Sequence, residues 1–309
     1  MPGGKQGLSV KDLYGGRSLT PKLAQRAKAE LERRGKLGFK QRARRWVEGA
    51  KLTREATGPL LDLVSKDKRA EKAVAGMRSL QKQARVPRIA LRRIPFPGLF
   101  SPIGATVVPP YDAGWTWSEL ADGSATPAIN EETADTNSGD MSLDLDANIG
   151  DFSGVLAESS LGIFFFPPLP SGSLQVTASV TYTYDWGVFC HFSDAHVQAA
   201  LGIRVLSFDA TTGAFTGFAA DSSVQLWDKD ESWPYVSHDS QDGLNSMTLS
   251  APPFQVDSKH EYIIVARCEG EMDALGWGPF WGSGAFNTIQ VAVNSISWEL
   301  QPNPPQALP

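Results

Sequence analysis

Lysine and arginine almost stop at residue 93. Of 29 such residues in a 309-residue chain, 25 fall within residues 1–94, against 8 of the 34 Asp and Glu. The remaining cations are Arg204, Lys229, Lys259 and Arg267, set among 26 acids. A formal net charge of −5 thus hides a first part at +17 and a second at −22. Eight of the nine Trp lie in the acidic part, Trp46 being the exception. Such asymmetry predicts two differently built regions and points the basic one at a polyanion or an acidic protein surface, including the acidic half of a neighbouring copy.

The basic region divides by its punctuation. Gly3, Gly4, Gly7, Gly15 and Gly16 mark residues 1–19 as a flexible N-terminus. Residues 20–85 read as a basic helical arm. Thr20-Pro21 supplies an N-cap and a proline at the first helical position. KLAQRAKAELERR (22–34) consists of strong helix formers, with Leu23, Ala27 and Leu31 as a narrow apolar stripe. Gly35 and Gly38 predict a break, followed by a second helical piece around Phe39, Trp46 and Val47. Gly58-Pro59 predicts another break, and a third piece runs to about Gln83. The candidate nucleic-acid contacts are Lys22, Arg26, Lys28, Arg33, Arg34, Lys36, Lys40, Arg42, Arg44, Arg45, Arg92 and Arg93. Lysine and arginine set against phosphates release counterions and bind without sequence preference. No helix-turn-helix, zinc ligand set or RNA-recognition signature is present, so no base code is expected. Protein docking and simple solvation are the competing readings of the same charges. Residues 86–114 hold six prolines beside Ile94, Phe96, Leu99, Phe100 and Ile103, the composition of an ordered connector lying on a surface.

Residues 115–309 read as an acidic β-sandwich. In LQVTASVTYTY (174–184), Leu174, Val176, Ala178, Val180, Tyr182 and Tyr184 alternate with Gln, Thr and Ser, the pattern of a half-buried strand. Further runs lie at 141–147, 161–166, 197–208, 223–227, 247–249, 262–268 and 289–300. Turn clusters separate them and no long helical pattern intervenes, so the fold class is mainly β, an antiparallel sandwich after a basic helical region. A jelly roll is the first expectation and an immunoglobulin-like sandwich the second.

Chemistry is sparse. CHFSDAH (190–196) places Cys190 and His191 on opposite sides of a strand, a poor start for a metal site with Asp194 and His196. Asp135, Asn137 and Asp140 in DTNSGD read as a polar turn, because the spacing is not that of a calcium loop. With no HExxH, GxSxG or phosphate loop, neither catalysis nor a cofactor nor a metal is expected. Cys190 and Cys268 read as buried free thiols. Trp227, Trp233, Trp277 and Trp281 lie in turn-rich text; they would suit stacking on sugars or an interface between copies, although core packing is the plainer role. No apolar run approaches the ~20 residues of a membrane span, and the Met1-Pro-Gly-Gly-Lys5 opening lacks a secretory h-region, which predicts a virion or cytoplasmic location.

A basic, partly helical arm, a Pro-rich connector and an acidic sandwich, closed by the strand VAVNSISWELQPNPP (291–305), together resemble the coat proteins of small icosahedral viruses. The layout departs from that group in its helical, mixed-charge arm and in lacking a recognisable calcium-site aspartate motif. The resemblance implies self-assembly, with the arm facing packaged genome and the sandwich tiling a shell. A shell of about 60 arms at +17 would bring roughly 1,000 positive charges to the phosphates. The alternative is a carbohydrate- or surface-binding module anchored through its basic helices.

Overall fold

Alternation of apolar and polar residues with period two fixes which face of each strand turns inward. In a computed structural model of the chain, the described residues are 21–64, 66–85, 91, 100–101, 104–124, 128–148, 152–191, 193–231, 236–275 and 282–302. Among these residues two helices, α1 (Pro21–Val64) and α2 (Lys68–Ala84), precede twelve strands. These are β1 (Phe100–Ser101), β2 (Gly104–Val107), β3 (Ala113–Leu120), β4 (Ile129–Asp135), β5 (Asp140–Ala147) and β6 (Ser153–Phe165). They continue with β7 (Ser171–His191), β8 (Ala195–Asp209), β9 (Phe215–Glu231), β10 (Val236–Asp257), β11 (His260–Ala274) and β12 (Gly284–Pro302).

All pairings are antiparallel and form two sheets. One sheet carries β10, β7, β12 and β5 side by side, with β4 beyond β5 and the β1–β2 pair continuing along β12. The other runs β3-β6-β11-β8-β9. From β5 onward the chain alternates between sheets except at the β8–β9 hairpin, so that β5-β12-β7-β10 faces β6-β11-β8-β9. That is the order of an eight-stranded jelly roll, two interleaved Greek keys. The first expectation of the sequence therefore holds over the immunoglobulin-like one. Each strand run anticipated from alternation coincides with an observed strand, 161–166 overrunning the end of β6 by one residue, and 100–101, 104–107, 113–120 and 129–135 add four that alternation did not mark. The inward residues of both sheets, among them Leu143, Val180, Trp186, Leu201, Val205, Ile264, Val291 and Ile296, form the main core.

The breaks expected at Gly35, Gly38 and Gly58-Pro59 do not occur: α1 is continuous for 44 residues, and α2 starts after Asp67, which caps it by accepting from the Arg69 amide at 2.8 Å. Gly35 and Gly38 each cost a helix about 1 kcal/mol relative to alanine, and burial of the surrounding apolar residues on the sheet offsets that cost. Leu23, Ala27 and Leu31 pack on Trp115, Phe164, Leu206, Phe208, Ile263 and Val265. About two turns further along, Phe39 and Ala43 pack on Trp117, Ala121 and Leu156. Between them lies Gly35, where a Cβ would sit 2.0 Å from the Trp117 ring. Glycine is there because the helix backbone rests on an indole, and so it marks a contact rather than a break.

Candidate nucleic-acid interface

The charges of α1 divide by helix face. On the sheet side, Arg34 pairs with Asp221 at 2.8 Å and stacks over Phe218. Lys36 and Lys40 share Glu119 at 3.3 and 3.1 Å. Arg42 grips Glu271 with both ends of its guanidinium, at 3.0 and 2.5 Å. Arg26 donates to the carbonyls of Thr212 and Gly213 in the β8–β9 turn. Five of the twelve candidate nucleic-acid contacts are thus held by the chain's own sandwich. Lys22, Lys28, Arg33 and Arg44 are exposed away from these contacts, and Arg45 is exposed on the flank of the rod. Lys28 and Arg33 also make local pairs with Glu32 and Glu30. Arg92 and Arg93 lie outside the described residues.

Beneath α1 the sheet carries its own buried charges. Glu158 on β6 is fully buried and faces Arg204 on β8 at 3.3 Å and Arg267 on β11 at 3.7 Å. Asp221 on β9 reaches both arginines, and Glu269 closes on Arg267 at 2.6 Å. Burial opposes the charge on Arg267, but Glu269, Glu158 and Asp221 outweigh it and raise its pKa. Pairing of this kind is what allows ionised groups to stay under a helix.

Where α1 crosses the ends of β8 and β11, a cleft of about 460 Å³ opens between Arg42, Arg45 and Trp46 on the helix and His196, Glu271 and Asp273 on the strands. His196 Nδ1 lies 3.1 Å from Asp273 and Nε2 2.8 Å from Asp228. Burial opposes the imidazolium, yet Asp273, Asp228 and Asp230 raise its pKa to about 9. Burial also pushes the Glu271 carboxyl up, against the pull of Arg42. Both ring nitrogens of His196 are already taken by carboxylates, and among the described residues no group of three His, Cys, Asp or Glu is placed to hold a metal ion. The cleft is a charged seam between helix and sheet.

Of the candidate aromatics, Trp227 is 7% exposed, packed in the main core with its ring 5.2 Å from Tyr184. It is a core residue, because its strand position turns it between the sheets. Trp233, Trp277 and Trp281 lie outside the described residues. Cys190 and Cys268 are buried free thiols, and burial raises the pKa of Cys268 far above its ordinary value. DTNSGD is a turn, with Asp135 accepting from the Asn137 amide and Gly139 at φ +75°.

The acids that receive α1 escaped notice in the sequence, though one signal was present. Arg267, Glu269, Glu271 and Asp273 occupy every second position of β11, alternating with buried Cys268 and Met272. A strand buried on one face and charged on the other, yet with Glu271 and Asp273 only 4% and 6% exposed, requires a cover carrying cations.

No protein-family model and no curated protein sequence matches the chain. Among solved structures it is similar to a carbohydrate-binding module of the β-sandwich superfamily, at 12% identity over 56% of this chain and 59% of that one, with a TM-score of 0.20. A carbohydrate-binding module of family 61 in complex with β-1,4-galactotriose aligns at 12% identity over 58% of this chain and 88% of that one, TM-score 0.16. A structure of infectious bursal disease virus, Gx strain, aligns at 9% identity over 63% and 42%, TM-score 0.12. The chain spans 59% of the length of the first of these. No helix among the described residues is long and apolar enough to cross a membrane.

Proposed function

We propose that the chain is a structural coat-type protein: its jelly roll builds a shell, and the solvent side of its basic helical region holds nucleic acid without reading sequence. The single observation that carries this is the division of α1, which lays one face on the sandwich and presents Lys22, Lys28, Arg33, Arg44 and Arg45 outward on the same rod. A helix of 44 residues is about 66 Å long at 1.5 Å per residue, room for several phosphates of one strand. Exposed Lys51, Lys68, Arg69, Lys72 and Lys82 extend the basic surface through α2. Charge anchored on a rigid body positions a polyanion, whereas charge on a free tail only tethers it.

Sedimentation velocity of the full chain, recorded at 260 and 280 nm, tests the reading. It predicts a fast boundary with a high 260/280 ratio. Replacing Lys22, Lys28, Arg33, Arg44 and Arg45 together by Gln should return a protein-like ratio while the sandwich stays folded. Nucleic-acid content unchanged by that replacement would overturn the proposal. The alternative, a carbohydrate-binding module, would draw its stacking rings from Trp233, Trp277 and Trp281. Among the described aromatics, Trp46 at the cleft is only partly exposed.

A further inference from the structure

A sandwich of two open sheets has edges, and an edge strand presents a row of unpaired amides and carbonyls to any other strand. Three of the edges here are blunted. β3 is eight residues long and lies under α1, which accepts the Trp115 Nε1 hydrogen bond at Ala24 O. β4 is seven residues, carries Glu131, Glu132 and Asp135, and is bulged between Ile129 and Glu131. β9 is broken by three register shifts against β8 and ends in Asp228, Lys229, Asp230 and Glu231.

β10 confines these devices towards its ends, with Asp239 and Asp242 on one side and the bulge after Ala251 and Asp257 on the other. It is 22 residues long and pairs with β7 alone among the described residues. From Val236 to Ala251 the register is unbroken for 16 pairs, roughly 50 Å at about 3.3 Å per residue. Residues 243–256 contain no charged side chain. Leu244 is 58% exposed on the outer side of the sheet, and 239–242, 245, 246, 248 and 250 are exposed as well. The bulge and Pro252-Pro253 come only after this straight run.

We propose that β10 is an assembly edge, pairing antiparallel with β10 of a second copy about a two-fold axis near residues 244–246. A second copy is the occupant that the charges select. Asp239 and Asp242 both lie before the axis, so two-fold pairing sets each acidic stretch against the uncharged stretch of the other copy, and no like charges oppose. The same axis brings the two Leu244 side chains together, and the contact is isologous and closed, giving a dimer rather than an open fibre. This contact does not rest on the nucleic-acid reading, since β10 belongs to the sandwich and α1 lies on the opposite sheet.

The test uses the full chain after nuclease treatment in high salt, so that nucleic-acid-driven assembly is absent. Sedimentation velocity should give a dimer for the native chain. Leu244→Lys with Thr248→Lys, two solvent-facing positions, should give a monomer with unchanged circular dichroism. Independently, Leu244→Cys should be trapped as a covalent dimer by a short bis-maleimide at least tenfold faster than Thr212→Cys in the β8–β9 turn. The two natural thiols are buried and give no background. A monomeric native chain at about 100 µM, an assembly that the two lysines leave intact, or equal trapping at 212 and 244 would each overturn the proposal. If the lysine variant unfolds, the trapping rates decide alone. A dimer that takes up no nucleic acid would sink the coat reading and leave this one standing.

Discussion

The two outer faces of the sandwich are built on opposite plans. Outside β6, β11 and β8 the sheet offers Leu156, Phe164, Ile263, Val265, Leu206 and Phe208, with Glu158, Arg204 and Arg267 between them, all buried under α1. Outside β7 and β12 it offers Thr177, Ser179, Thr181, Thr183, Gln290 and Ser297. There hydroxyls and amides satisfy one another, as in Thr181 with Ser246 and Asn294, Thr183 with Gln290, and Ser297 with Thr106. Among the described residues, only the end at Phe189 and Phe286 is capped, where Ala84 packs on the rings and Arg85 lies 5.4 Å over Phe286. A face that is apolar and charged needs a cover to exclude water and neutralise it; a face of short hydroxyl side chains needs neither. The basic helix is therefore part of the fold on one side, and only its remaining cations are available for a partner.

Substitutions can break this contrast. The largest effect is expected at Phe39, fully buried between α1 and the sheet: Phe39→Ala should cost about 3–5 kcal/mol in denaturant unfolding, because it empties the second half of the helix contact. A loss below 1 kcal/mol would mean that α1 is a detachable arm.

Acidity comes next, since the covered face is tied by ionisable groups. The folded-state pKa of His196 is raised from its ordinary 6.5 to about 9. Its stabilisation is therefore fully present below pH 6.5 and is lost as pH rises through 9. The gap corresponds to roughly 3 kcal/mol. Stability measured from pH 6 to 9.5 should fall by that order, and His196→Ala should flatten the profile. Stability that stays level in the native chain would contradict the seam described here.

Gly35→Ala should follow, at about 1–3 kcal/mol of overpacking, since its methyl would enter the space of the Trp117 ring. At an exposed helical position the same change would stabilise. The sign of the shift in thermal midpoint thus reports directly whether α1 rests on the sheet. On the hydroxyl face, Thr181→Val should cost only about 1 kcal/mol, through the Asn294 amide it leaves unpaired.

Much of this was legible in the residues. Alternation in 174–184 and its counterparts located the jelly-roll strands, because inward and outward residues differ in kind. Edge strands β4 and β9 were missed or shortened, because residues such as Asp135, Asp228 and Lys229 face solvent and leave no apolar period to read. The charge break near residue 93 located the boundary in composition, but contacts ignore it: Arg34, Lys36, Lys40 and Arg42 join the two sides. Gly35 was misread for a physical reason. Local propensity counts a glycine against a helix, and only tertiary contact with Trp117, 82 positions away, turns it into a requirement.

The measurement that tests the central claim most directly is native-state hydrogen exchange along α1. If the helix is the cover of its own sheet, amides of residues 23–43 will exchange as slowly as those of β6 and β11 and through the same global opening. Exchange of 23–43 within seconds, while β6 and β11 stay protected, would show that the helix is a free arm and would contradict the account.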